Sequence, residues 1–310
     1  MSLIVFGSIN MDLVVQTPRL PSPGETLQGD QFFTAPGGKG ANQAVAAARL
    51  GALTYLVGRV GEDSFGQELL AHLNETGVQT EWVKVDSQTS SGVAMIAVDR
   101  ESENTIIIIP GANGRVERSD VDRLKNLLSH ASALLLQLEV PLAANIAAAN
   151  EAKKAGVKVI LDPAPAPDNL PDELYPLIDI ITPNETEAKR LTGLDLAAET
   201  NWFKAADFFL ERGVQTVVLK LGARGVFCLN KGGNFRVEAF PVKAVDTVAA
   251  GDAFNGAMAT AFERGLSLRE AVMWGTAAGA LATTKSGAQP SLPDRETFEA
   301  FLNADEISIL

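Results

Sequence analysis

Along most of the chain, short apolar runs alternate with amphipathic stretches of about 10 to 15 residues, the pattern of parallel strands joined by helices. Apolar runs at 3–9, 54–60, 133–138, 157–161, 178–182 and 216–221 read as buried strands. Helical patterns at 41–50, 66–74, 119–129, 143–155, 185–192, 201–212, 249–264, 268–284 and 295–302 follow or separate them. Gly51, Gly77 and Gly156 stand where three of these helices must stop. Residues 225–229 and 234–239 read as a hairpin around Gly232 and Gly233. Strands that are apolar on both faces need cover on both sides. The expected fold class is therefore α/β, a doubly wound, mostly parallel sheet flanked by helices.

One region breaks the alternation. Residues 82–85, 92–99 and 105–109 are β-like in succession, with no helix between the last two, and read as antiparallel. Residues 17–30 carry Pro18, Pro21, Pro23, Gly24 and Gly29, which exclude a helix there. These segments point to a small β-sheet beside the main body. No linker and no fixed-period repeat interrupts the chain, so residues 1–310 read as one α/β domain with a β-rich appendage.

Composition narrows the chemistry. With 310 residues, 46% hydrophobic and 21% charged, the chain can bury a sizeable core. A net charge of −12 argues against nucleic acid or an anionic membrane surface as a partner. Cys228 is the one cysteine; no internal disulfide can form, and a cytoplasmic location is expected. His72 and His130 are the two histidines, both in helical patterns, which disfavours a zinc site or a Ser-His-Asp triad. Catalytic proton transfer then falls to a carboxylate. The N-terminus shows no basic region or cleavage signature, and the apolar runs are broken before they reach a membrane-spanning length.

In open α/β sheets, ligands bind beyond the carboxyl ends of the strands, and four such places carry polar residues. Gly37-Gly38-Lys39-Gly40-Ala41-Asn42 precedes a helix; it reads as a tight turn or as a loop letting backbone approach a ligand, with Lys39 and Asn42 favouring the second. It is neither a Walker A loop nor a three-glycine dinucleotide fingerprint. Asp246-Thr247-Val248-Ala249-Ala250-Gly251-Asp252 opens an apolar helix, where backbone N–H groups make an anion hole. Asp252 either complements the helix dipole or faces the same ligand as a proton acceptor. Asn184 and Glu187 have capping-box spacing; alternatively they hold a hydrated Mg²⁺. Asn10 and Asp12, placed at the end of the first strand, share a face by period-two spacing and suit adjacent hydroxyls, or else occupy an exposed edge; Glu139, after the strand at 133–138, would join them.

Taken in order, Gly38-Lys39-Gly40-Ala41-Asn42-Gln43-Ala44 and Asp246–Phe254 resemble the two signatures of the ribokinase/PfkB-type carbohydrate kinases. Asn184-Glu185-Thr186-Glu187 is similar to that family's Asn-x-x-Glu motif, and the resemblance runs over nearly the whole chain. It implies Asp252 as general base and Ala249, Ala250 and Gly251 as the anion hole for the transferring phosphoryl. It implies a sugar held by Asn10, Asp12, Gly38, Lys39, Asn42 and Glu139, and Asn184 and Glu187 near Mg²⁺ and the phosphates. Lys220-Leu221-Gly222-Ala223-Arg224-Gly225 resembles the nucleotide loop, with Thr276 beside the adenine; Lys220 stands where the family often has Thr. The resemblance also implies a monovalent cation, K⁺, at Asp246, Val248, Ala282, Lys285, Gly287 and Ser291. It implies a β-sheet lid over the sugar, here about 12–34 and 90–110, and a homodimer formed through two lids. The implied activity is ATP-dependent phosphorylation of the primary hydroxyl of D-ribose. The rivals are another sugar or a nucleoside as acceptor, and a non-catalytic sugar-binding protein, against which Asp252 argues. A nicotinamide-dependent oxidoreductase would need a glycine fingerprint that Gly7-Ser8-Ile9-Asn10 does not supply.

Overall fold

The computed structural model describes residues 1–101 and 103–309. Ser102, inside the range read as lid, and Leu310, the end of the single-domain range, lie outside the described residues. In chain order the elements are β1 (Ser2–Phe6), β2 (Asn10–Gln16), β3 (Gln31–Gly37), α1 (Lys39–Arg49), β4 (Thr54–Gly61), α2 (Ser64–Glu75), β5 (Val83–Asp86), β6 (Gly92–Val98) and β7 (Asn104–Ile109). There follow α3 (Arg118–Leu128), β8 (Ala131–Leu136), α4 (Leu142–Lys154), β9 (Lys158–Leu161), β10 (Ile180–Ile181), α5 (Glu185–Thr192), α6 (Thr200–Glu211) and β11 (Thr216–Lys220). The chain closes with β12 (Val226–Asn230), β13 (Gly233–Val237), α7 (Ala250–Glu263), α8 (Leu268–Ala282) and α9 (Arg295–Ile309).

The main sheet has the order β13-β12-β11-β10-β9-β8-β1-β4-β5. It is parallel from β11 through β5, and β12 and β13 add an antiparallel hairpin at one edge. The alternation of β1 shows how the layers form. Leu3 and Val5 join Val45, Met258 and Val272 of α1, α7 and α8 on one face; Ile4 and Phe6 join Leu124, Ala148 and Phe209 of α3, α4 and α6 on the other. Each of these fully buried side chains larger than alanine contributes roughly 1.5–3 kcal/mol. The strand order reverses at β1, which has β8 on one side and β4 on the other. A crevice therefore opens past the carboxyl ends of β1 and β8.

A second sheet has the order β3-β2-β6-β7. Here the structure corrects three expectations. Residues 83–86 do not belong to it; β5 pairs parallel with β4 at the edge of the main sheet. The small sheet is mixed, because β2 and β6 run parallel while its outer pairs are antiparallel. Asn10 does not end the first strand: β1 stops at Phe6, and Asn10 opens β2 in the small sheet. The apolar run through Ile9 concealed this change of sheet. Pro36 is the next-to-last residue of β3, an edge strand where a missing N–H is tolerated.

Candidate active site

Two close backbone approaches build the site. A Cβ on Gly40 would lie 2.6 Å from Gly7 C and Ser8 N, so only glycine lets the start of α1 sit on the loop after β1. At Gly256 a Cβ would lie 2.6 Å from Ala46 Cβ, so α7 presses against α1 and carries Asp252 to Asn42 and Gln43. The Ser8 hydroxyl donates to Glu139 at 2.5 Å, the Lys39 N–H donates to the same carboxylate at 3.1 Å, and the Gly40 N–H donates to Ser8 Oγ at 3.3 Å. Asn113 accepts from the Ile9 N–H at 2.9 Å and donates to Asn10 Oδ1 at 2.7 Å. This fixes the Asn10 amide and leaves its nitrogen for a ligand. Asn42 Oδ1 is buried without a partner, an acceptor suited to a hydroxyl.

Asp252 is 4% exposed in the first turn of α7. Its Oδ2 accepts from Asn42 Nδ2 at 3.0 Å and its Oδ1 from Gln43 Nε2 at 3.1 Å. Burial pushes its pKa up to about 6, against the opposing pull of the Lys39 ammonium. Asp12 is pushed up to about 7 by burial and by the charges of Glu139 and Asp252. Burial alone would lower the Lys39 pKa, but Asp252, Asp162, Glu139 and Glu187 outweigh it, and Lys39 stays protonated. Ahead of Asp252, Ala249 holds a left-handed φ of 58° and turns the chain into the helix. The Ala250 N–H reaches the Thr247 carbonyl at 3.3 Å, whereas helix geometry leaves the N–H groups of Gly251 and Asp252 without intrahelical acceptors.

At the carboxyl end of β10, the capping box is complete. Glu187 N–H donates to Asn184 Oδ1, Asn184 N–H to Glu187 Oε2 and Asn184 Nδ2 to Glu187 Oε1, each at 2.8 Å. Burial raises the Glu187 pKa, while Lys220 lowers it. Among the described residues no group of three or more His, Cys, Asp or Glu is arranged to hold a metal directly. The remaining carboxylate lone pairs fit a hydrated Mg²⁺ bound through water. The crevice also favours a cation, since among the described residues Asp12, Glu139, Asp162, Glu187 and Asp252 face Lys39 and Lys220 as the compensating charges.

The Lys220 ammonium lies 3.0 Å from Asp162 and 3.3 Å from where a Cβ on Gly251 would stand, so it borders the first turn of α7. Leu221 is buried, Ala223 sits in the 3₁₀ turn Gly222–Arg224, and Gly222 and Gly225 take left-handed φ of 55° and 79°. Arg224, expected beside the nucleotide, pairs with Glu185 at 2.6 Å and donates to the Leu196 carbonyl at 2.8 Å. Thr276 spends its hydroxyl on the Val272 carbonyl of its own helix at 2.8 Å. The Asp246 carboxylate accepts from the Val248 N–H at 3.0 Å and the Gly287 N–H at 2.9 Å, joining two of the loops expected around a monovalent cation. The Ala282 carbonyl accepts from the Lys285 N–H at 3.4 Å, and the Ser291 hydroxyl donates to the Ala288 carbonyl at 2.7 Å.

Sequence reasoning missed Gln43, Asp162, Gln137, Ser8 and Asn113. Asp162 follows β9 as Glu139 follows β8, so the same strand-end rule would have found it. Gln43 had only its place next to Asn42 as a signal. Gln137 and Asn113 act through contacts 94 and 103 residues away in sequence.

Residues 1–295 match the pfkB family of carbohydrate kinases, and the chain belongs to that family. It is 46% identical to a ribokinase of Haemophilus influenzae, over 97% of this chain and 98% of that one. It is 36% identical to a deoxyribokinase of Salmonella typhi, over 99% and 100%. Among solved structures, the ribokinase of Arabidopsis thaliana complexed with ribose and ATP superposes with a TM-score of 0.89, at 37% identity, covering 97% of this chain and 98% of that one.

Proposed function

We propose that the protein transfers the γ-phosphoryl group of ATP to the primary hydroxyl of D-ribose, giving ribose 5-phosphate and ADP. The observation that carries this reading is a buried carboxylate, Asp252, beside unpaired N–H groups in the first turn of α7. In this reading Asp252 accepts the hydroxyl proton as the sugar oxygen bonds to phosphorus and the bond to the bridging oxygen of ADP breaks. Phosphoryl transfer has a loose transition state, so placement and charge stabilisation matter more than a strong base. The backbone at Ala249, Ala250 and Gly251 forms the anion hole; Gly251 supplies the freest donor, because the Ala250 N–H leans on Thr247. Removing one such donor typically costs about 10²–10³ in rate.

Asn10, Asp12, Gly38, Lys39, Asn42 and Glu139 hold the sugar. The excess of carboxylates around it suits a neutral polyol and repels a sugar that is already phosphorylated. A nucleoside would need an apolar slot for its base, and Phe32 and Phe33 lie exposed on the small sheet. Asn184 and Glu187 hold Mg²⁺ through water; when bound, it neutralises the phosphate oxygens. Lys220 to Gly225 border the nucleotide, and Thr276 meets the adenine by packing. Asp246, Val248, Ala282, Lys285, Gly287 and Ser291 would hold a K⁺ ion, whose charge would support the anion hole. The small sheet acts as a lid on a single domain, and two lids pair in a homodimer. Among the described residues no helix is long and apolar enough to cross a membrane, and the single thiol suits the cytoplasm. A kinase assay with ATP over ribose, 2-deoxyribose, hexoses and nucleosides, in K⁺, Na⁺ or choline, tests the whole. Ribose should give the highest kcat/KM and K⁺ the highest rate. Preference for another acceptor overturns the substrate, and equal rates in the three salts remove the cation.

A further inference from the structure

Behind Asp252 runs a line of buried polar groups that ends at the anion hole. The Gln43 amide donates one proton to Asp252 Oδ1 at 3.1 Å and the other to Asp162 Oδ2 at 3.0 Å. Its oxygen accepts from Gln137 Nε2 at 2.7 Å, so the amide orientation is fixed and neither proton is spare. The other oxygen of Asp162 accepts from Lys220 Nζ at 3.0 Å. Gln43, Gln137, Asp162 and Asp252 are buried, and only the Lys220 side chain, 13% exposed, reaches toward the open crevice.

We propose that Lys220 is a positioning residue for Asp252, setting the charge of that carboxylate through Asp162 and Gln43 from its place beside the anion hole. The inference rests on Asp252 being the general base. One amide separates the two carboxylates, which puts them within about 6 Å of one another, close enough for each to resist the other's ionisation. The Lys220 ammonium compensates Asp162. Without it, Lys39 alone opposes the Asp162 charge at Asp252, and Asp252 holds its proton to higher pH. Without the Asp162 charge, Asp252 loses its proton at lower pH. The other charged side chains around this cavity are Lys39 of α1, Asp12 of β2, Glu139 after β8 and Glu187 of α5, and all are present in every variant compared. The Glu187 pKa is itself lowered by Lys220 and raised by Asp162, and the double variant removes both of these opposed pulls together. The arrangement ties the base to the group that borders the phosphoryl site, so a change at Lys220 reaches the sugar side without touching the sugar.

The test is a double-mutant cycle over Lys220→Met and Asp162→Asn, with Lys220→Arg as the conservative control. Two readouts are used. One is the titration of the Asp252 ¹³Cγ resonance in protein without substrates, assigned by its loss in Asp252→Asn. The other is the acid limb of kcat/KM for ribose at saturating ATP and Mg²⁺. Lys220→Met should raise both midpoints by about one pH unit and Asp162→Asn should lower them by about as much. The double variant should return to within a few tenths of the original, and Lys220→Arg should stay there. Midpoints that do not move, or that move the same way in both single variants, overturn the proposal, whatever happens to kcat. NMR midpoints that move as stated in a protein that phosphorylates no sugar support the coupling and overturn the base reading instead.

Discussion

Burial makes an ionised carboxylate costly, and at Asp252 and Asp12 that cost is set against function. A base must be ionised to accept a proton, so with its pKa near 6, kcat/KM should fall about tenfold for each pH unit below 6. A pH–rate profile that stays flat down to pH 5 removes Asp252 from the role. Asp252→Asn should lower kcat by about 10³-fold or more while calorimetry finds sugar and ATP binding little changed. Stability follows the opposite sign. The folded pKa of Asp12, about 7, lies above its unfolded value of 3.8, so the folded state binds the extra proton. Stability therefore falls as pH rises from about 4 to 7 and then levels off. Asp12→Asn removes that penalty. Its Tm should exceed that of the parent by a few degrees at pH 8 and by less at pH 5; an equal or larger gain at pH 5 would contradict the assignment. These roles were only half legible in the sequence. Asp252 stood out by its glycine neighbour, whereas Asp162 and Gln43 became visible once α1, α7 and β9 met.

Helix α7 shows how an element stores what the site requires. Ala249, at φ 58°, is the one described non-glycine residue with positive φ, and such a conformation costs about 1 kcal/mol. It turns the chain so that the first-turn N–H groups face the crevice. Ala249→Gly should raise the urea midpoint modestly, by up to about 1 kcal/mol in stability, yet lower kcat because the donors are held less rigidly. Unchanged kcat with unchanged stability would mean the turn carries no strain. The helices themselves were legible, since 3.6-residue periodicity and glycine stops depend on local sequence. The first strand was less so. An apolar run continues through Ile9, but the chain leaves the main sheet after Phe6 because Gly7 and Ser8 must meet Gly40 and Glu139.

At the scale of the whole molecule, the small sheet is apolar on both faces. Met95 pairs with Ile107 and Leu13 on one face; Ile106 and Ile96 share the other with Asp12. Ile107 is 59% exposed and Ile106 51%, an arrangement that monomers seldom tolerate. Under the proposed pairing, Ile106→Asp and Ile107→Asp read which face the second lid would cover. Sedimentation should find a dimer for the parent and a monomer for at least one variant, with a raised KM for sugar where the dimer is lost; a parent that sediments as a monomer, or dimers in both variants, remove the pairing. The sequence by itself determined the α/β class, the order of most strands and helices, and the loops proposed to carry chemistry. Each depends on periodicity, glycine and proline placement, or short motifs within one segment. The tertiary structure alone decided that β5 closes the main sheet, that β2 and β6 run parallel, and that Arg224 pairs with Glu185. It also decided that Lys220, Asp162, Gln43 and Asp252 form one line. These are pairings between segments far apart in sequence, fixed by which faces bury together and which buried charges find partners, and no local pattern encodes them.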